Sequence, residues 1–103
     1  MEKVYTIEEI KQNLIPAFSN AAVNKAILFG SYAKGLATEN SDIDIVIDSN
    51  GQLLNIYFYE LLEDVTERLN KKVDLIELSE IERGSLIYNE IQKEGIVVYE
   101  KQR

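Results

Sequence analysis

Leu28-Phe29-Gly30-Ser31-Tyr32-Ala33-Lys34-Gly35-Leu36-Ala37-Thr38-Glu39-Asn40-Ser41-Asp42-Ile43-Asp44-Ile45-Val46-Ile47-Asp48 is the stretch whose reading decides the fold. Apolar β-formers stand at both ends and turn residues in the middle, so it reads as strand, glycine turn with a short helix, loop, strand. Lys25 to Phe29 is an apolar run suited to a buried first strand. Gly30 ends it at a point where a side chain would block the approach of a phosphate to the backbone. If Ser31 begins a helical turn through Lys34, the free N–H groups there and the Ser31 hydroxyl form an anion site. Gly35 then lets the turn terminate, and Lys34 adds positive charge nearby.

The second strand is expected from Asp42 to Ile47. Side chains alternate faces along a strand, so Ile43, Ile45 and Ile47 point to the core while Asp42 and Asp44 point the other way. Two carboxylates on one face, separated by two steps of about 3.3 Å, can ligate one Mg²⁺ or bridge a pair of ions. Taken alone, Asp-x-Asp reads first as the solvent side of a half-exposed strand. Its coupling to Gly30-Ser31 at this spacing favours a site for a metal-bound nucleotide.

Outward from this centre the chain alternates helix and strand with no linker or repeat, which predicts one domain over residues 1–103. Thr6-Ile7-Glu8-Glu9 is a capping box opening a helix to about Ser19. Its apolar face is Ile7, Ile10, Leu14 and Phe18, with Pro16 a kink or late break. Asp48-Ser49-Asn50-Gly51 is a turn, and Asp48 is assigned turn chemistry rather than ligation. Gln52 to Asn70 reads as the longest helix, with Leu54, Phe58, Leu61, Leu62, Val65 and Leu69 as its core stripe. Ile56, Tyr57 and Tyr59 widen that stripe, either as a border of the core or as a surface for another protein. Lys72 to Ile76 is a β-favouring run whose only acid is Asp74, open to reading as a solvated or capping residue or as a third site carboxylate. Glu77 is placed outside the site. Ser79-Glu80-Ile81-Glu82 reads as a second capping box opening a helix to about Lys93. Gly95 precedes a last strand, Ile96 to Tyr99, and Glu100 to Arg103 are expected to fray.

Composition narrows the chemistry. The 103-residue chain contains no cysteine and no histidine. Disulfides, thiol nucleophiles, Ser-His triads and His-ligated or thiolate-ligated metals are therefore excluded, which leaves carboxylates as ligands and bases. Cysteine usage suits a reducing cytoplasm, and neither a membrane span nor a signal-peptide pattern is seen. The net charge of −7 and the scattered lysines argue against nucleic acid as substrate. An acidic site that takes a nucleotide triphosphate would depend on a divalent cation to offset the charge of carboxylates and phosphates.

The central motif resembles the signature of the DNA polymerase β-type nucleotidyltransferase superfamily: Gly-Ser, a few residues, Gly, a short loop, then Ser-Asp-x-Asp. The length is that of its smallest members, the minimal nucleotidyltransferases, often the antitoxin halves of HEPN/MNT toxin–antitoxin pairs. Element order agrees from about Lys25 to Tyr99, although only the central motif is specific. Lys34 departs from the Arg of many relatives, keeping the charge but losing a bidentate phosphate contact.

The resemblance implies an α/β fold, a small mixed sheet of about four strands flanked by helices. It also implies a carboxylate triad of Asp42, Asp44 and Asp74 holding two Mg²⁺ ions, with Asp74 on the side of the attacking hydroxyl. Gly30, Ser31, Lys34 and Ser41 would hold the nucleotide. The activity implied is AMP transfer from ATP to a hydroxyl, often tyrosine, of a HEPN-type partner toxin whose RNase activity is thereby neutralised. Two rivals stand beside it. One is transfer to a small molecule, as in antibiotic-modifying relatives, for which a homodimer could supply the missing substrate wall. The other is an antitoxin that acts by binding alone.

Overall fold

A computed structural model describes residues 3–102. The elements run α1 (Ile7–Ser19), β1 (Lys25–Phe29), α2 (Gly30–Ala33), β2 (Ile43–Asp48), α3 (Ile56–Leu69), β3 (Val73–Glu77), a 3₁₀ turn (Leu78–Glu80), α4 (Leu86–Glu94) and β4 (Ile96–Glu100). The strands form one mixed sheet in the order β3-β2-β1-β4. β1 lies antiparallel to both β2 and β4, whereas β2 and β3 are parallel. Parallel neighbours need a crossover, and α3 provides it.

Alternation divides the sheet into two faces. Ala26, Leu28, Ile43, Ile45, Ile47 and Val98 meet Ile10, Leu14 and Phe18 of α1 and Leu61, Val65 and Leu69 of α3 in the main core. On the other face Phe29 and Val46 pack with Ile91 of α4 in a smaller cluster. Because Asp44 shares the parity of Val46, it emerges on this second face.

The first capping box forms as read. Thr6 Oγ1 accepts from the Glu9 N–H at 3.0 Å, and Glu9 Oε1 accepts from the Thr6 N–H at 2.9 Å. Pro16 lies inside α1, which continues to Ser19. The Asp48 turn also holds, with Asp48 Oδ1 accepting from the Asn50 N–H at 3.0 Å.

Three boundaries differ from the expectations. α3 begins at Ile56, not Gln52, because Asn55 takes φ 57° and breaks the helical path. Leu54 is therefore half exposed while Leu53 enters the core. Leu53 is steered there by its N–H, which donates to Ser49 Oγ at 3.1 Å, and the buried Ser49 hydroxyl donates in turn to the buried Glu77 carboxylate. The supposed Ser79 capping box opens no α-helix. Glu77 caps a 3₁₀ turn, Gly84 at φ +83° redirects the chain, and Ser85 caps α4 by accepting from the Tyr88 N–H. At the end of the chain Glu100 closes β4 and does not fray, while Arg103 lies outside the described residues.

Candidate active site

The register of the sheet builds the site. Phe29 is the cross-strand partner of Asp44, and Asp44 is the direct parallel partner of Asp74. Gly30, directly after the end of β1, is consequently brought beside the row that Asp44 and Asp74 form across β2 and β3. Adjacent strands are about 4.8 Å apart, close enough for two short carboxyl side chains on one face to meet. Their proximity is felt at Asp44, whose carboxyl is held above its ordinary value in part by the Asp74 side chain.

Gly30 is required on two counts. Its φ is +71°, a conformation L side chains rarely adopt, and a Cβ there would overlap the Asp44 carboxylate. Immediately after it α2 supplies a single helical turn, whose first bond is Lys34 N–H to Gly30 O at 3.1 Å. The N–H groups of Ser31, Tyr32 and Ala33 thus have no acceptor within the turn. Gly35 follows at φ +74° and ends it.

Asp42 lies one residue before β2. The loop leading to it is closed by Thr38 N–H donating to Ser41 Oγ at 2.8 Å and by Ser41 N–H donating to Thr38 O at 3.0 Å. Ser41 thereby holds the loop that presents Asp42. Lys34 is turned to α4, where its ammonium is 3.6 Å from Glu90 Oε1.

The electrostatics of the row are those of crowded acids. The Asp44 carboxyl is pushed up to about 6, first by burial, then by its hydrogen bond to Asp74 and by the charges of Asp74, Asp42 and Glu90. Two residues missed by sequence reasoning contribute here. Lys72 sits 3.6 Å from Asp42 Oδ2 and 4.0 Å from Asp74 Oδ1. Its position two residues before Asp74 on a strand was a usable signal for a shared face. Glu90 arrives from α4, and no local pattern connects it to the Asp residues.

Among the described residues no three metal-binding side chains are gathered into a ready cluster. The donor set nevertheless suits a hard divalent cation, since it consists of carboxylate oxygens on adjoining strands. The negative charge crowded around Asp44, which raises its carboxyl, is the charge a divalent cation would offset.

Comparison with known proteins places these features in a family. Residues 12–103 match the family described as polymerase beta, nucleotidyltransferase. A Methanocaldococcus jannaschii protein provisionally named a protein adenylyltransferase is 35% identical over 75 residues, covering 73% of this chain and 81% of that protein. The protein adenylyltransferase MntA of Thermococcus cleftensis is 33% identical over 84 residues, covering 77% of this chain and 84% of that one. Among solved structures, a chain of a crystal structure described as a toxin–antitoxin with AMP-PNP superposes with a TM-score of 0.75 at 26% identity, covering 89% of this chain and 74% of that chain. No helix among the described residues is long and apolar enough to cross a membrane.

Proposed function

Because this chain belongs to the polymerase β nucleotidyltransferase family, we propose that it transfers AMP from ATP to a tyrosine hydroxyl of a HEPN-type partner toxin and so acts as the antitoxin. The observation that carries this reading is the close approach of Gly30 to the Asp44 carboxylate together with the direct pairing of Asp44 and Asp74, which sets a glycine turn beside two neighbouring carboxylates. The names of the adenylyltransferase relatives and the toxin–antitoxin structure with an ATP analogue support it.

In this mechanism Gly30 brings the nucleotide-holding turn against the Asp44 carboxylate, and Ser31 with the first N–H groups of α2 donates to phosphate oxygens. Lys34 and Ser41 flank the nucleotide, Ser41 chiefly by fixing the loop ahead of Asp42. Asp42, Asp44 and Asp74 would hold Mg²⁺, two ions in all, which offsets the phosphate charge when bound. The acceptor oxygen bonds to the α-phosphorus, and the bond from that phosphorus to the α–β bridging oxygen breaks. Pyrophosphate leaves with the electron pair, in line with the attack. The hydroxyl proton passes to Asp74, the carboxylate on the nucleophile's side.

The partner docks, in this reading, on the exposed start of α3. Ile56, Tyr57 and Tyr59 are 67%, 65% and 66% exposed there. Glu60, Glu63 and Glu67 on the same helix are also exposed, so a second copy of this face would be repelled and a basic protein surface attracted.

Intact-mass spectrometry tests the transfer. The chain is incubated with ATP, Mg²⁺ and a HEPN-type protein. Wild type is expected to add AMP to that protein, and the Asp42→Asn/Asp44→Asn double variant to add none while staying folded. Equal partner mass with both, together with equal protection from the toxin, would leave the binding-only antitoxin standing.

A further inference from the structure

We infer that Lys72 is a positioning residue that competes with the divalent cation for Asp42 and Asp74, and so sets the metal affinity of the site. This rests on the reading of Asp42, Asp44 and Asp74 as metal ligands. Its first support is placement. The Lys72 carbonyl accepts from the Ile43 N–H at 3.1 Å, which fixes this backbone beside the start of β2. From that anchor the ammonium lies 3.6 Å from Asp42 Oδ2 and 4.0 Å from Asp74 Oδ1, between carboxylates that come from two different strands.

The second support is the inventory of charge around Asp44, at the centre of the site. Asp42 and Asp44 come from the β2 side, Asp74 from β3 and Glu90 from α4. Of the cations, Lys34 is drawn to Glu90 at 3.6 Å, and Lys71 donates to the Glu39 carbonyl at 2.8 Å. Lys72 bridges the outer carboxylates. Its side chain is 71% exposed, so the ammonium can leave without unpacking any core.

A monovalent ammonium and a hard divalent ion want the same oxygens. The ion must displace the ammonium, which then stays tethered nearby as a repelling positive charge. Exposed ion pairs are individually weak, so the two contacts together hold metal affinity down by roughly threefold to tenfold. The expected role is that of a lock that keeps the carboxylates together before the metal arrives and yields to it.

The test is Mn²⁺ titration of the full chain without nucleotide, read by loss of the free-ion electron paramagnetic resonance signal. Lys72→Met is expected to bind Mn²⁺ about threefold to tenfold more tightly than wild type, Lys72→Gln to do the same, and Lys72→Arg to stay near wild type. Lys71→Met removes equal charge one residue away and is expected to change affinity less than twofold. Equal affinity in wild type and Lys72→Met, or the same gain in Lys71→Met, overturns the role of Lys72 while leaving the metal site intact. No binding in any variant overturns the metal reading itself, and the proposal with it.

Discussion

Replacing Gly30 by alanine should damage this protein twice, and Gly35 supplies the control that separates the two effects. Both residues have nearly the same positive φ, +71° and +74°. An added Cβ at Gly35 meets nothing within 4 Å, whereas at Gly30 it would lie 3.1 Å from Asp44 Cγ, 3.3 Å from Asp44 Cβ and closer still to Oδ2. Left-handed backbone with a Cβ costs about 1 to 2 kcal/mol, partly offset by a stiffer unfolded chain. Gly35→Ala is therefore expected to lose about 1 kcal/mol. Gly30→Ala adds the overlap with Asp44, for which overpacking of a tight site suggests a further 1 to 3 kcal/mol or so. Urea denaturation with a constant m-value reads both losses.

A double-mutant cycle makes the argument specific. In an Asp44→Ala background most of the overlap disappears, so the cost of Gly30→Ala should fall to about that of Gly35→Ala, near 1 kcal/mol. Relief at the expense of Asp44 would also reach the chemistry, because a carboxylate moved by about 1 Å can lose on the order of 100-fold in rate. If Gly30→Ala cost no more than Gly35→Ala, or cost the same with and without Asp44, close approach of β1 to Asp44 would not be the reason for the glycine.

How much of this was legible follows from which forces are local. The strand, glycine turn, loop and strand around Gly30 to Asp48 could be read because turn chemistry and alternation act over a few residues, and the structure keeps them nearly unshifted. The Thr6 cap was legible for the same reason. Ser79 misled because its spacing to Glu82 imitates a capping box, while the true cap, Ser85, has Tyr88 where an acid would be looked for. Leu54 misled because helical spacing does not reveal that Asn55 would take a left-handed turn. Asp74 could be suggested from a β-favouring run, but its pairing with Asp44 depends on parallel register across the α3 crossover. Glu90 depends on how α4 packs, which no short spacing encodes.

Two further outcomes follow from the surface and from the acids. Tyr59 is 66% exposed and meets Phe58 edge-on at 5.6 Å between ring centroids, so Tyr59→Lys should leave stability within about 0.5 kcal/mol. Under the proposed docking of a toxin on this face, it should weaken that complex by about 30-fold, the loss of an aromatic anchor worth roughly 2 kcal/mol, against a basic surface that would also repel the new charge. An unchanged dissociation constant by calorimetry would move the interface elsewhere. For Asp44 the sign follows from its carboxyl being raised from 3.8 to about 6 in the folded chain. The folded state then holds a proton that the unfolded chain has released, so its contribution to metal-free stability declines as pH rises through about 4 to 6 and levels off above. Asp44→Asn has no such proton to lose, so thermal melts without metal should show the variant gaining on wild type between pH 4.5 and 7, two settings that span about that window. A difference that stays constant across the window, or shrinks as pH rises, would mean that Asp44 is not held protonated by burial and by Asp74.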